Sequence, residues 1–82
     1  MCHCYILFSE DLDRFYVGHT CDSLESRVKR HLHDHGGYTS RAKDWELVWH
    51  ETFEGRSGAY GREREIKSWK SRKRIEVLVS RG

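Results

Sequence analysis

His3-Cys4-Tyr5-Ile6-Leu7-Phe8-Ser9, then Glu10-Asp11-Leu12-Asp13, then Arg14-Phe15-Tyr16-Val17-Gly18 are the three consecutive runs on which the fold turns. The first is rich in aromatic, β-branched and apolar residues and predicts a strand over 3–9. The acidic run predicts a turn, and the third predicts a second strand over 14–18 that ends at a glycine. Together they form a β-hairpin. With a four-residue loop, Ser9 faces Arg14 and Leu7 faces Tyr16. Tyr5 then shares a face with Tyr16 as its diagonal neighbour. A three-residue loop slips the register by one and sends the two tyrosines to opposite faces.

Downstream of the hairpin, Asp22 starts a helix, with Glu25 three residues on as its capping-box partner. Leu24, Val28 and Leu32 recur at i, i+4 and i+8 as its apolar stripe, and Gly36-Gly37 should end it. A polar loop over 38–44 leads to a third strand over 45–53, with Leu47, Trp49 and Phe53 on one face. Gly55 and Ser57 lead into a second helix over roughly 58–70. A third, over roughly 72–80, is marked by Ile75, Leu78 and Val79. The order β-β-α-β-α-α predicts an α+β fold, a small three-stranded antiparallel sheet flanked by helices.

The chain has 82 residues, which predicts one domain over 1–82, because at this size folding hides only about 60% of the extended chain's surface. Its 37% hydrophobic and 34% charged residues, with three Trp, four Tyr and three Phe, suit one modest core and exclude disorder. Cys2, Cys4 and Cys21 cannot all pair within one chain, and the odd count predicts reduced thiols in a reducing compartment, not a disulfide staple. The apolar run from Cys4 to Phe8 is too short to span a bilayer or act as a signal core. The expectation is a cytoplasmic chain with no membrane contact.

The net charge of +2 divides unevenly. Residues 1–55 carry 6 Lys/Arg against 10 Asp/Glu, and residues 56–82 carry 9 against 3. A basic C-terminal third suits a face that meets polyphosphate, or a solvated helix surface balanced by acids across the fold.

Helical periodicity indicates which charged groups are forced inward. Arg27 and His31 sit one turn apart at the edge of the first helix's apolar stripe. Glu63 lies between Ala59 and Ile66 on the inner face of the second, while Glu65 is rotated off it. A carboxylate beside core is costly unless it meets a cation or a metal. Each residue also has a plainer role: Glu63 as the i+4 partner of Lys67, the tyrosines as strand aromatics, His31 as a half-buried helix histidine. The convergence of Tyr, Tyr, Arg, His and Glu from four elements, with a basic tract behind them, points to a phosphodiester site.

Tyr5-Ile6-Leu7, Tyr16-Val17-Gly18, Arg27-x-x-x-His31 and Ala59-x-x-Arg62-Glu63-x-x-x-Lys67 resemble the successive motifs of the GIY-YIG nuclease domain. The resemblance covers about residues 3–78 and is closest to short stand-alone members related to the N-terminal nuclease domain of the UvrC excision-repair protein. It implies divalent-metal-dependent endonuclease activity on DNA phosphodiesters, in DNA repair or recombination. It further implies Tyr5 and Tyr16 as the paired tyrosines of the site and Arg27 on the scissile phosphate. His31 takes the adjacent position, and Glu63 is the sole carboxylate ligand of Mg²⁺ or Mn²⁺. Three positions depart from the family pattern: His3 replaces the first-motif glycine, His19 stands where a lysine is common, and the asparagine of the last helix is missing.

Contacts to the DNA backbone are expected from His19 and Lys67 beside the site, from Arg41 and Lys43 in the loop, and from Lys70, Arg72, Lys73 and Arg74 between the last helices. A non-catalytic nucleic-acid-binding module on the same fold is the second reading. Cys2-x-Cys4 with His31-x-x-x-His35 offers a third, a zinc protein, although no C-x₂-C pair exists.

Overall fold

The computed structural model describes residues 1–33 and 42–81. Strands β1 (Cys2–Ser9), β2 (Arg14–Thr20) and β3 (Glu46–Phe53) alternate with helices α1 (Leu24–His33), α2 (Arg56–Ser68) and α3 (Arg72–Arg81) in the order β-β-α-β-α-α. The sheet is antiparallel throughout, ordered β2-β1-β3, so β1 is central and β2 is an edge.

The hairpin has the four-residue loop, pairing Ser9 with Arg14, Leu7 with Tyr16 and Tyr5 with Gly18. Asp13 takes a left-handed conformation (φ 54°), which aspartate tolerates. The Ser9 hydroxyl donates to Asp44 Oδ1 at 2.6 Å and accepts from the Leu12 amide at 3.1 Å, while the Asp11 amide donates to Asp44 Oδ2 at 2.9 Å. Asp44 thus clasps the turn from outside the hairpin. Arg72 does the same from α3, donating to Asp13 Oδ1 at 2.6 Å and to its carbonyl at 2.9 Å.

Both faces of β1 are buried, so its sequence is apolar nearly throughout. On one face Cys4, Ile6, Val17, Trp49 and Ile66 form a core that α2 and α3 complete with Trp69, Ile75, Leu78 and Val79. On the other, Tyr5, Leu7, Ala42 and Trp45 pack with Leu24 and Val28 of α1. A bulge interrupts β3: Ile6 pairs with Trp49 but Leu7 with Leu47, leaving Val48 as the extra residue. That residue reverses the alternation, so Leu47 joins the α1-side core while Trp49 and Phe53 stay with α2 and α3. The single face expected for Leu47, Trp49 and Phe53 is therefore split.

Two further expectations change. Ser23, not Asp22, caps α1: its hydroxyl accepts the Ser26 amide at 3.1 Å, while the Asp22 amide is taken by Thr20 Oγ1 at 3.0 Å. Cys2 and Cys21 form a disulfide, their Cα atoms 4.0 Å apart, so only Cys4 is a free thiol. Cys4 is buried, and burial, seconded by the nearby Glu63 carboxylate, pushes its thiol up to about 12. It is neither a nucleophile nor a ready metal ligand at neutral pH, and the Cys2-x-Cys4 zinc pair is not available. The expected helix stop at Gly36-Gly37, along with His35 and Arg41, lies outside the described residues. No helix among the described residues is long and apolar enough to cross a membrane.

Candidate active site

The site forms where the two layers of the fold meet, around the free edge of β2. Tyr5 is fixed by the central strand and is 1% exposed. Its ring runs across the edge strand because the residue opposite is Gly18: a Cβ there would lie 2.7 Å from the Tyr5 hydroxyl and 2.9 Å from Cζ. This is the physical reason for a glycine in Tyr16-Val17-Gly18. Tyr16, the diagonal neighbour, has its ring centroid 6.5 Å from that of Tyr5.

Arg27 comes to the same place from α1, held by the Leu24 and Val28 stripe. Its Nε donates to the Tyr5 hydroxyl at 3.3 Å. Burial raises the Tyr5 pKa, and Arg27 offsets this only in part, so Tyr5 is a neutral phenol at physiological pH. The same hydrogen bond raises the Arg27 pKa against a smaller effect of burial, which secures its charge.

Glu63 arrives from the opposite layer. Ala59 and Ile66, both fully buried, set the inner face of α2, and Glu63 lies between them with a side chain 12% exposed. Its Oε1 is 2.6 Å from His19 Nδ1, and its Oε2 accepts from Lys67 Nζ at 2.9 Å. Burial pushes its pKa up, but the hydrogen bonds and charges of His19 and Lys67 outweigh that and hold it below the usual carboxylate value. Glu63 is therefore an anion in a largely buried setting. Lys67 also reaches across the edge, its Nζ 6.0 Å from the Tyr16 ring centroid.

Four of the five residues expected at the site, Tyr5, Tyr16, Arg27 and Glu63, thus gather around one strand edge, with His19 and Lys67 beside them. The fifth, His31, lies in α1 by its backbone, and its side chain falls outside the described residues. Arg56, which the sequence did not single out, joins them. With His19, Thr20, Cys21, Asp22 and Arg27 it lines a cavity of about 250 Å³, two guanidinium groups on one opening. The signal was its place at the start of α2, one turn ahead of Ala59 and Tyr60.

The remaining expected DNA contacts lie elsewhere. Lys43 is exposed beside Asp44. Lys70 and Arg72 line a groove with Asp13 and Phe15 at the hairpin turn. Arg72 is engaged by Asp13 and by Glu76 at 3.1 Å, a tie within the fold. Lys73 and Arg74 border a separate groove around Trp69, with the Arg74 guanidinium 4.3 Å from the indole centroid. Among the described residues no three His, Cys, Asp or Glu side chains cluster as a closed metal cage.

Comparison with known proteins identifies the family of the chain. The GIY-YIG catalytic domain matches residues 1–76. A UPF0213 protein of Haloquadratum walsbyi is 38% identical over 79 residues, covering 95% of this chain and 85% of that protein. A UPF0213 protein of Staphylococcus saprophyticus is 34% identical over 79 residues, covering 95% of this chain and 93% of its own length. No solved structure matches the chain. An antiparallel sheet in the order β2-β1-β3, a hairpin that sets Tyr5 beside Tyr16, and a sequence match over nearly the whole length make this chain a member of the GIY-YIG catalytic-domain family, a family of nucleases.

Proposed function

We propose that this chain acts as a single domain over 1–82, a cytoplasmic, divalent-metal-dependent endonuclease that hydrolyses DNA phosphodiesters in repair or recombination. The observation that carries the reading is the meeting of Glu63, from one layer, with Tyr5, Tyr16 and Arg27, from the other, at a single strand edge. A structural ion pair needs none of the tyrosines, and a core tyrosine pair needs no ionised acid beside it.

Glu63 fits Mg²⁺ or Mn²⁺. Mg²⁺ favours one or two carboxylates with retained waters over a protein cage, and Glu63 is an ionised carboxylate whose Lys67 partner is half exposed and can swing away. When bound, the metal supplies Lewis-acid polarisation of a phosphoryl oxygen. Arg27, its Nε anchored on Tyr5, presents its terminal nitrogens as a planar fork for two phosphate oxygens. Tyr5 stays a protonated phenol at neutral pH and so has no free site for the water's proton; its role is to orient Arg27. The proton of the attacking water falls to Tyr16, with His31 assisting. Lys67 and Arg56 add positive charge where negative charge develops. His19 holds Glu63 in place, while Arg41, Lys43, Lys70, Lys73 and Arg74 hold the duplex by its backbone without reading sequence.

Incubating wild type and Glu63→Ala with nicked, branched and linear DNA, with and without Mg²⁺ or Mn²⁺, tests the reading. Cutting by wild type alone, and only with metal, is the expected result. Retardation of DNA with no cutting under any condition leaves the second reading, a non-catalytic DNA-binding module. That reading is favoured by one feature: both Glu63 oxygens are already taken by His19 and Lys67.

A further inference from the structure

Tyr60 is the only exposed Tyr, Phe or Trp among the described residues, 44% accessible on the first half of α2. It contributes nothing to either core, so its place needs another reason. Its ring lies 5.2 Å from the His19 imidazole at an interplanar angle of 59°, and His19 in turn contacts Glu63 at 2.6 Å. The ring therefore stands one side chain away from the acid. His19, Arg56, Ser57 and Tyr60 border an open cavity of about 470 Å³, a size in the range that takes small ligands. It shares His19 and Arg56 with the cavity that Arg27 lines, so the two cavities adjoin. The Arg64 guanidinium adds a cation 5.7 Å from the Tyr60 centroid.

A flat exposed ring beside an arginine, in a cavity that adjoins the proposed phosphodiester site, has the chemistry of a base-stacking platform. Bases within a duplex already stack on one another and cannot reach a side-chain ring; unpaired ones can. Resting on the nuclease reading above, we propose that the Tyr60 ring, with His19 at its side, stacks an unpaired base beside the scissile phosphate, with the neighbouring phosphate on Arg56. The substrate class is then DNA with a single-stranded or frayed nucleotide at the cut, not continuous duplex.

The test is equilibrium binding without divalent metal, by fluorescence anisotropy, of a labelled oligothymidylate and of an abasic deoxyribose-phosphate chain of equal length. Wild type should bind the oligothymidylate roughly tenfold more tightly, as expected for one stacked base. Tyr60→Ala should bind both chains alike, Tyr60→Trp should keep the preference, and Arg56→Ala should weaken both ligands equally. A Tyr60→Ala protein that keeps the preference, or a wild type that has none, overturns the proposal. Because no metal is present, either result leaves the cleavage reading to the Glu63→Ala experiment, and absence of cleavage there leaves the stacking result standing.

Discussion

Gly18→Ala isolates the contact on which the site's geometry depends. The added methyl would lie 2.7 Å from the Tyr5 hydroxyl, 2.9 Å from Tyr5 Cζ and 3.1 Å from Tyr16 Cε2. Non-bonded carbons settle at about 3.5–4.0 Å, so the Tyr5 ring must retreat by roughly 1 Å. It has little room: it is 1% exposed and packs with Leu7, Ala42 and Trp45. Overpacking of this kind costs about 1–3 kcal/mol. Against it stands the smaller conformational freedom of alanine in the unfolded chain, worth about 0.4–1 kcal/mol. The net is a destabilisation of about 1–2 kcal/mol, which lowers the melting temperature of a domain this size by roughly 5–15 °C. Thermal unfolding followed by circular dichroism reads it, with Gly61→Ala as the control. Nothing lies within 4 Å of a Cβ at Gly61, which is in the helix interior. Alanine there should stabilise by about 0.5–1 kcal/mol. The displaced hydroxyl also loses Arg27, so Gly18→Ala should cut DNA poorly well below its own melting temperature. A Gly18→Ala protein as stable and as active as wild type would refute the crossing of Tyr5 over the edge strand.

The other expectations are more direct. Glu63 has a lowered folded-state pKa, so the unfolded state binds more protons between the two pKa values. Its stabilisation is complete above the unfolded value of about 4.3 and is lost as pH falls through the folded one; Glu63→Gln should flatten that acid limb in pH-resolved denaturant melts. The Cys2–Cys21 disulfide spans 19 residues and should contribute about 3 kcal/mol by loop closure. Cys21→Ser should lose that, and unfolded unreduced wild type should show one titratable thiol. Arg27→Ala should lower turnover by about 10³-fold or more while retaining DNA in a gel-shift, and equal loss of both would count against its role on the phosphate. Tyr16→Phe retaining near-full activity in a single-turnover assay would remove Tyr16 as the base without touching Glu63.

The hairpin was legible because the length of its turn sets the register. Once Ser9 faces Arg14, the pairing of Leu7 with Tyr16 and of Tyr5 with Gly18 follows with no further choice. The same register, carried one step past His3 and Thr20, sets Cys2 opposite Cys21. The disulfide was therefore implicit in the strand pairing and was hidden by counting cysteines instead of placing them. The burial of Ala59 and Ile66 on either side of Glu63 was equally readable from helical spacing. The bulge was not. Leu47 and Val48 are both apolar, and which of them faces which layer depends on how Trp45 and Trp49 pack, a tertiary fact absent from local pattern. Nor did spacing distinguish Arg72, which ties α3 to the hairpin turn, from the neighbouring Lys73 and Arg74 in the same basic run.

Why the site sits at β2 follows from the layers themselves. The sheet separates the α1 side, which supplies Tyr5, Tyr16 and Arg27, from the α2 side, which supplies Glu63, Lys67 and His19. Through the body of the sheet these sets are kept apart by β1, whose residues are buried on both faces. Only past an edge can side chains of the two layers meet; on β3, Trp49 is buried in the α2-side core under the Arg62 guanidinium, 5.7 Å from its centroid. At β2 the residue opposite Tyr5 is a glycine, which leaves room for the Tyr5 ring to lie over the edge strand. Tyr5 crosses there to Arg27, and Lys67 reaches around to Tyr16 from the acid it holds. In the proposed reading, an anionic phosphate at that edge would meet cations from both layers, Arg27 from one and Lys67 and Arg56 from the other. Neither layer could offer that alone, which is why so short a chain can assemble the site only by wrapping both of its helical layers around one strand.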